Sequence, residues 1–208
     1  KKIFIPLPQQ YKLMNQNILS LEPKTVWKHF TALNAVPRPS KKEERVIAFI
    51  KAFGADLGLE TVQDTIGNVI IRKAATPGME DRKTVVLQSH LDMVHQKNAS
   101  TDFDFSTQGI QMYIDGDWVK AKGTTLGADN GLGVATIMAI LESTELDHPA
   151  LEALFTIDEE TETVPSGFIS VRSFYLLLSS VKYPLEYITP HNLFEIRGGS
   201  RSGRPRSY

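Results

Sequence analysis

The chain contains no cysteine among its 208 residues. Disulfides are therefore excluded, and a metal ion would have to be held by histidine and carboxylate instead of thiolate. Net charge is almost absent as well. The 23 Lys and Arg stand against 24 Asp and Glu, a formal balance of −1. No global field draws such a protein to nucleic acid or to an anionic membrane. Long apolar runs are missing too, and none approaches the roughly 20 residues that cross a bilayer. The opening residues Lys1 to Pro8 hold two lysines and an apolar patch, but Pro6 and Pro8 break it too early for the apolar core of a secretion signal. A cytosolic (cytoplasmic) location is the expectation. What is present is ordinary globular composition, 41% hydrophobic and 23% charged, enough for a sizeable core in one or two domains.

Acidic residues also run short in one region. From Thr163 onward only Glu186 and Glu195 occur, against Arg172, Lys182, Arg197, Arg201, Arg204 and Arg206. Such asymmetry marks either a basic tail for a polyanion or a segment of different design. Periodicity fails over the same stretch, and Gly198 to Tyr208 reads as disordered. At the other end, residues 1–13 show no clean period, and Met14 is a candidate start.

Between these ends the pattern is legible. Pro23 suits a first helical turn, and Val26, Phe30 and Leu33 recur at helical spacing before Pro37 and Pro39. Ser40-Lys41-Lys42-Glu43 reads as a capping box ahead of Val46, Ile47, Ile50, Phe53 and Leu57 on one helical face. Asn68 to Arg72, Val85 to Leu87 and Leu151 to Ile157 read as strands. Met112 to Ile114 and Trp118-Val119 flank Asp115-Gly116, a hairpin signal, and Gly131 to Leu141 reads as an apolar helix. Alternating helices and strands predict an α/β fold, a layered and mostly parallel sheet with flanking helices.

Chemistry-bearing residues stand at the ends of these elements. His90-Leu91-Asp92 follows the strand at Val85 to Leu87, and the carboxyl ends of strands are where open α/β sheets bind ligands. Asp92 could accept one ring N–H of His90 and leave the other nitrogen for a metal. Alone, His-x-Asp is weak, because most histidines are surface or satisfied core residues. Gly123 to Gly131 reads as a turn with an Asx cap, or as a Gly-rich loop holding Asp129 where little bulk blocks two cations. It is a poor phosphate loop, since no Lys-Ser/Thr pair follows the glycines. Asp158-Glu159-Glu160 closes the strand that ends at Ile157. Acidic residues there are usually just solvated, but they also suit a site where one binds metal and another acts on water. Imidazole plus carboxylates fits Zn²⁺ or Mn²⁺, and a shared carboxylate fits a two-metal hydrolytic centre. Spacing alone stops there.

Three long motifs in order go further. Val85 to Val94, Trp118 to Gly131 and Phe155 to Thr161 resemble the aminoacyl-histidine dipeptidases, within the zinc metallopeptidase superfamily of carnosinases, carboxypeptidase G and aminoacylases. The resemblance runs from about Leu21 to Thr161. It implies His90 as a ligand of one zinc, Glu160 as a ligand of the other and Asp129 as the bridging carboxylate, with a cis Asp129–Asn130 peptide. It also implies Asp92 as the residue that orients His90 and Glu159 as the general base. The implied reaction is attack of a water activated by two Zn²⁺ (Mn²⁺ or Co²⁺ as substitutes) on a dipeptide carbonyl, Xaa-His and broader. Full-length family members are expected to be homodimers, without nucleic-acid or membrane partners.

The departures from the family carry expectations of their own. The family continues to a further zinc-binding Asp, but Thr163 to Tyr208 contains none. A late zinc-binding His and a separate lid domain also lack counterparts, and His191 stands in an unrelated context. The expected organisation is therefore 1–20 as an extension outside the fold, 21–162 as part of a catalytic domain, and 163–208 as an aberrant basic tail, out of frame or disordered. A chain so truncated would lack a ligand for each zinc and is expected to be inactive. The alternative is a non-catalytic remnant that at most binds metal or peptide. A nucleic-acid protein with an Arg-rich tail finds little support, since no aromatic residues interleave the arginines.

Overall fold

Helical periodicity in the first half of the chain produces two amphipathic helices. The computed structural model describes residues 18–161, and in it α1 spans Lys24–Asn34 and α2 Glu44–Asp56. Phe30 and Leu33 of α1, like Val46 and Ile50 of α2, are completely buried. The capping box does not form. Glu43 sits at the N-cap without a side-chain cap bond, and the Ser40 hydroxyl donates instead to the Asp92 carboxylate at 2.7 Å. Glu43 accepts from the Lys41 amide at 2.8 Å. A buried charged acceptor outcompetes a helix-end amide, which is the stronger bond of the two.

Four strands make one sheet: β1 (Glu60–Gln63), β2 (Val69–Lys73), β3 (Val85–His90) and β6 (Leu151–Thr156), in the order β1-β2-β6-β3. The α/β expectation holds, but the sheet is mixed. Only β3 and β6 run parallel, and β2 is antiparallel to both β1 and β6. The short β1, with a mostly exposed ETVQ sequence, carries no apolar period and was not expected. It forms because the Asp64 carboxylate accepts from the amides of Ile66, Gly67 and Asn68 at 2.8–2.9 Å and folds a tight return into β2. The expected hairpin is present as β4 (Met112–Asp115) and β5 (Trp118–Ala121).

The apolar segment after the glycine-rich loop forms α3, Ala128–Glu142, with non-helical backbone at Asp129 and Asn130. The Asp129–Asn130 peptide is cis, as the resemblance implied. One core cluster joins Leu33, Val46 and Ile50 to Val69, Ile71, Ala153 and Phe155 of the sheet and to Val134, Met138 and Leu141 of α3. A second cluster lies around Phe30, Met93, Phe103, Ile110 and Met112, and it includes Ile18. Ile18 is 1% exposed and begins a single 3-10 turn, Ile18–Ser20. Ile18 is thus part of this core, since an apolar side chain gains by leaving water wherever a groove accepts it. The expectations for 163–208, and for residues 1–17 of the extension, lie outside the described residues. Among the described residues, no helix is long and apolar enough to cross a membrane.

α1 is tied to the end of α3 by a buried histidine. His29 is 4% exposed, with Nε2 at 2.7 Å from a Glu142 oxygen whose partner oxygen takes Lys28 at 2.6 Å. Burial lowers the His29 pKa below its usual 6.5, against the pull of Glu142 and with some help from Lys28. The unfolded state therefore binds the proton first, and this site's stability is full above about pH 6.5 and declines as the pH falls toward the lowered folded value. Urea unfolding at about pH 7.5 and pH 5 should show wild type losing up to ~1 kcal/mol more than His29→Gln, which keeps a donor for Glu142 but cannot titrate. Equal losses in both proteins would show that His29 contributes no such dependence.

Candidate metal centre

The parallel pairing of β3 with β6 is what assembles the site. His90 is registered beside Thr156, and the Leu91 amide continues the ladder to the Thr156 carbonyl at 2.8 Å. Both strands therefore end at the same edge of the sheet. The segments that follow, Leu91-Asp92 from one and Ile157 to Glu160 from the other, must leave side by side. The start of α3 meets them there, because α3 packs against β3.

All five residues singled out from the sequence converge at this edge. The His90 ring is 5% exposed, with Nδ1 at 3.1 Å from the Asp92 carbonyl and 3.3 Å from its carboxylate. Its other nitrogen, Nε2, lies 3.3 Å from Asp129 Oδ1 and 3.8 Å from Glu159 Oε2. His90, Glu159 and Glu160 each place a ligand atom within 4.8 Å of the others. Exposure grades outward, from Asp92 at 0% through Glu159 at 37% to Asp129 at 85%. The donor set is imidazole and carboxylate, which suits a borderline divalent ion such as zinc.

Asp92 does more than face His90. Its two oxygens also accept the Ser40 hydroxyl at 2.7 Å and the amides of Glu159 and Glu160 at 3.1 Å each. Burial alone would raise its pKa, but the bonds from His90, Ser40 and the two amides outweigh it and hold the carboxyl well below the usual carboxylate range. Asp92 thus fixes the His90 ring and the loop bearing Glu159 and Glu160 together. At His90, burial opposes protonation, yet Asp92, with Glu159 and Asp129, raises the pKa above 6.5. The Glu160 pKa is raised by burial first, opposed by His90 and reinforced by the negative charge of Glu159, Asp129 and Asp92. A bound cation would relieve that concentration of charge.

Sequence reasoning missed the supports of this centre. The Ser89 hydroxyl donates to the Asn130 side-chain oxygen at 2.7 Å, anchoring the residue that follows Asp129. Arg38 is 1% exposed, and its guanidinium holds three carbonyls from two segments, Leu91-Asp92 and Gly127. Flanked by Pro37 and Pro39, it reads as ordinary loop, and no local signal marks it. The reading of Gly127 and Gly131 needs correction as well. A Cβ at either would lie 2.5 or 2.6 Å from Arg38 Nη2, so the space these glycines leave is filled by the guanidinium and not kept open for cations.

No protein-family profile matches the chain. The cytosol non-specific dipeptidase of Escherichia coli (strain K12) is 49% identical over 140 residues, covering 67% of this chain and 29% of that protein. The crystal structure of an aminoacylhistidine dipeptidase from Vibrio alginolyticus superposes with a TM-score of 0.70 at 49% identity, over 73% of this chain and 31% of that one. An aminopeptidase from Bacillus cereus shares the fold at 23% identity and a TM-score of 0.56, over 72% of this chain and 39% of that one. With its mixed sheet, flanking helices and imidazole–carboxylate strand exits, the described portion has the fold of a metallopeptidase catalytic domain. More narrowly, the chain belongs to the aminoacyl-histidine dipeptidase family, and it spans under a third of the length of the relatives it matches at 49% identity.

Proposed function

We propose that this chain carries part of a zinc-dependent, cytosolic dipeptidase centre that hydrolyses dipeptides, Xaa-His and broader. The approach of His90, Glu159 and Glu160 to within 4.8 Å, with Asp129 at 3.3 Å from the same His90 nitrogen, carries this reading. In it, His90 and Glu160 would each hold one zinc, with Mn²⁺ or Co²⁺ able to substitute, and Asp129 would be the carboxylate shared between them. Bound metal supplies Lewis acidity toward a carbonyl and lowers the pKa of water. Asp92, buried and charged, keeps the His90 Nδ1–H tautomer and so presents Nε2 as a lone pair. Glu159, 37% exposed beside the ligand cluster, would act as the general base, taking a proton from the attacking water and returning it to the leaving amine. Its amide is held by Asp92 at 3.1 Å, which aims its side chain at the ligand cluster.

A second reading, a non-catalytic remnant that binds metal or peptide, is favoured by the number of ligands. The chain covers only 29% of the E. coli relative, and the described residues offer each zinc two ligands where a catalytic site generally has about three. Hydrolysis by the chain alone is therefore expected to stay at background. The discriminating test is a chimera in which residues 21–161 of this chain replace the matched part of the E. coli dipeptidase. The chimera should bind zinc and cleave dipeptides, and Glu159→Gln within it should lower kcat by about 100-fold or more while sparing metal content. Zinc uptake without turnover in a folded chimera would favour the remnant.

A further inference from the structure

The Gly127 to Gly131 loop and the exit of β3 carry Asp129 and His90, yet few direct bonds join them. Besides the Ser89 bond to Asn130, the Arg38 side chain spans the two segments. Arg38 Nη1 donates to the Leu91 carbonyl at 3.0 Å and the Asp92 carbonyl at 3.2 Å. Its Nη2 donates to the Gly127 carbonyl at 2.6 Å and to Asn34 Oδ1, at the end of α1, at 3.0 Å. The Asp92 carbonyl is the same atom that lies 3.1 Å from His90 Nδ1. Gly127 stands two residues before Asp129.

Filling space does not explain this arrangement. Arg38 is 1% exposed and its Nε finds no partner. Burying a cation is costly, and an apolar side chain of similar size would pack as well or better. Burial brings its pKa down to about 10, against the pull of Asp92, so it remains a cation at neutral pH. What an apolar side chain cannot do is hold several carbonyls in one plane at fixed separation, and a lysine ammonium lacks that rigid fork.

We propose that Arg38 is a positioning residue that sets the spacing between His90 and Asp129, and so the geometry in which the two receive a metal. Arg38 touches neither residue. The proposal rests on the metal reading above for its consequence, but the spacing itself is measurable without metal.

The test uses the full chain as wild type, Arg38→Lys and Arg38→Met. Zinc affinity is read by competition with a chromophoric chelator, folding by circular dichroism, and local opening by hydrogen exchange. Loss of a support behind a metal ligand generally costs about 10–100-fold in affinity. Arg38→Met should fall in that range, with Arg38→Lys between it and wild type, and exchange should quicken in residues 124–131 relative to the β1–β2 hairpin. If Arg38→Met does not fold, Arg38→Lys alone is judged by the same two readouts. Wild-type zinc affinity in the folded variants overturns the proposal and leaves the metal reading standing. If wild type takes up no zinc, the metal reading fails, and hydrogen exchange decides. Selective quickening in residues 124–131 then supports Arg38 as the spacer, whereas no change or a uniform one overturns it.

Discussion

Asp92→Ala is expected to destabilise the described domain by about 3–5 kcal/mol, the usual cost of deleting one member of a buried charged network. The side chain is fully buried and accepts from Ser40, from the Glu159 and Glu160 amides and from His90. Alanine leaves the Glu159 and Glu160 amides without that acceptor, while Ser40 keeps only the Met93 carbonyl at 3.3 Å and His90 only the main-chain carbonyl of residue 92 at 3.1 Å. It also removes the carboxylate that raises the His90 pKa and favours the Arg38 cation. Asp92→Asn keeps the volume but must turn an NH₂ toward one of several donors, so it should fall between alanine and wild type. Ser40→Ala removes one donor and leaves the carboxylate otherwise bonded, so its effect should be the smallest of the set. Urea denaturation of the variants gives the order directly. A loss under about 1 kcal/mol for Asp92→Ala would show that water or repacking replaces the carboxylate easily.

Gly127→Val should cost about 2–5 kcal/mol for two separable reasons. The backbone there has φ +68°, a left-handed conformation that a β-branched residue resists. A Cβ would also stand 2.5 Å from Arg38 Nη2 and 2.9 Å from Met93 Sδ. The two costs come apart in an Arg38→Ala background. There the clash with the guanidinium is gone and only the conformational part and the Met93 contact remain, so the valine penalty should shrink. Thermal or urea unfolding of the four proteins closes the cycle. A penalty of the same size in both backgrounds would mean that the loop moves away from Arg38 instead of pressing on it.

How much of this was readable beforehand varies by element. Phe30, Leu33, Val46 and Ile50 announced their helices because a buried face must repeat at helical spacing. Strand β6 was equally plain, since Leu151, Ala153, Leu154 and Phe155 make a short apolar stretch broken only by Glu152. Strand β1 was not, because an edge strand with one neighbour needs no apolar alternation and is held by main-chain bonds and the Asp64 turn. The parallel sense expected for the sheet is met only between β3 and β6. Strand direction is set by how connections close in space, which a run of apolar residues does not record.

The site divides in the same way. His90, Asp92, Asp129, Glu159 and Glu160 were legible because they stand at element ends within three long motifs. Sequence determined which side chains could supply imidazole and carboxylate, that no thiolate could take part, and which elements would carry them. Only the tertiary structure decided that β3 and β6 pair in parallel and deliver two loops to one edge. It alone turned Ser40 from a helix cap into a donor to Asp92 and made the glycines around Asp129 a berth for Arg38. Local sequence sets periodicity and chemistry because both depend on neighbours along the chain. Which buried donor meets which acceptor depends on competition among groups far apart in sequence: 52 residues for Ser40 and Asp92, and 89 for Arg38 and Gly127. That competition is settled by burial, where an unpaired polar group is costly and a charged acceptor draws the nearest donor.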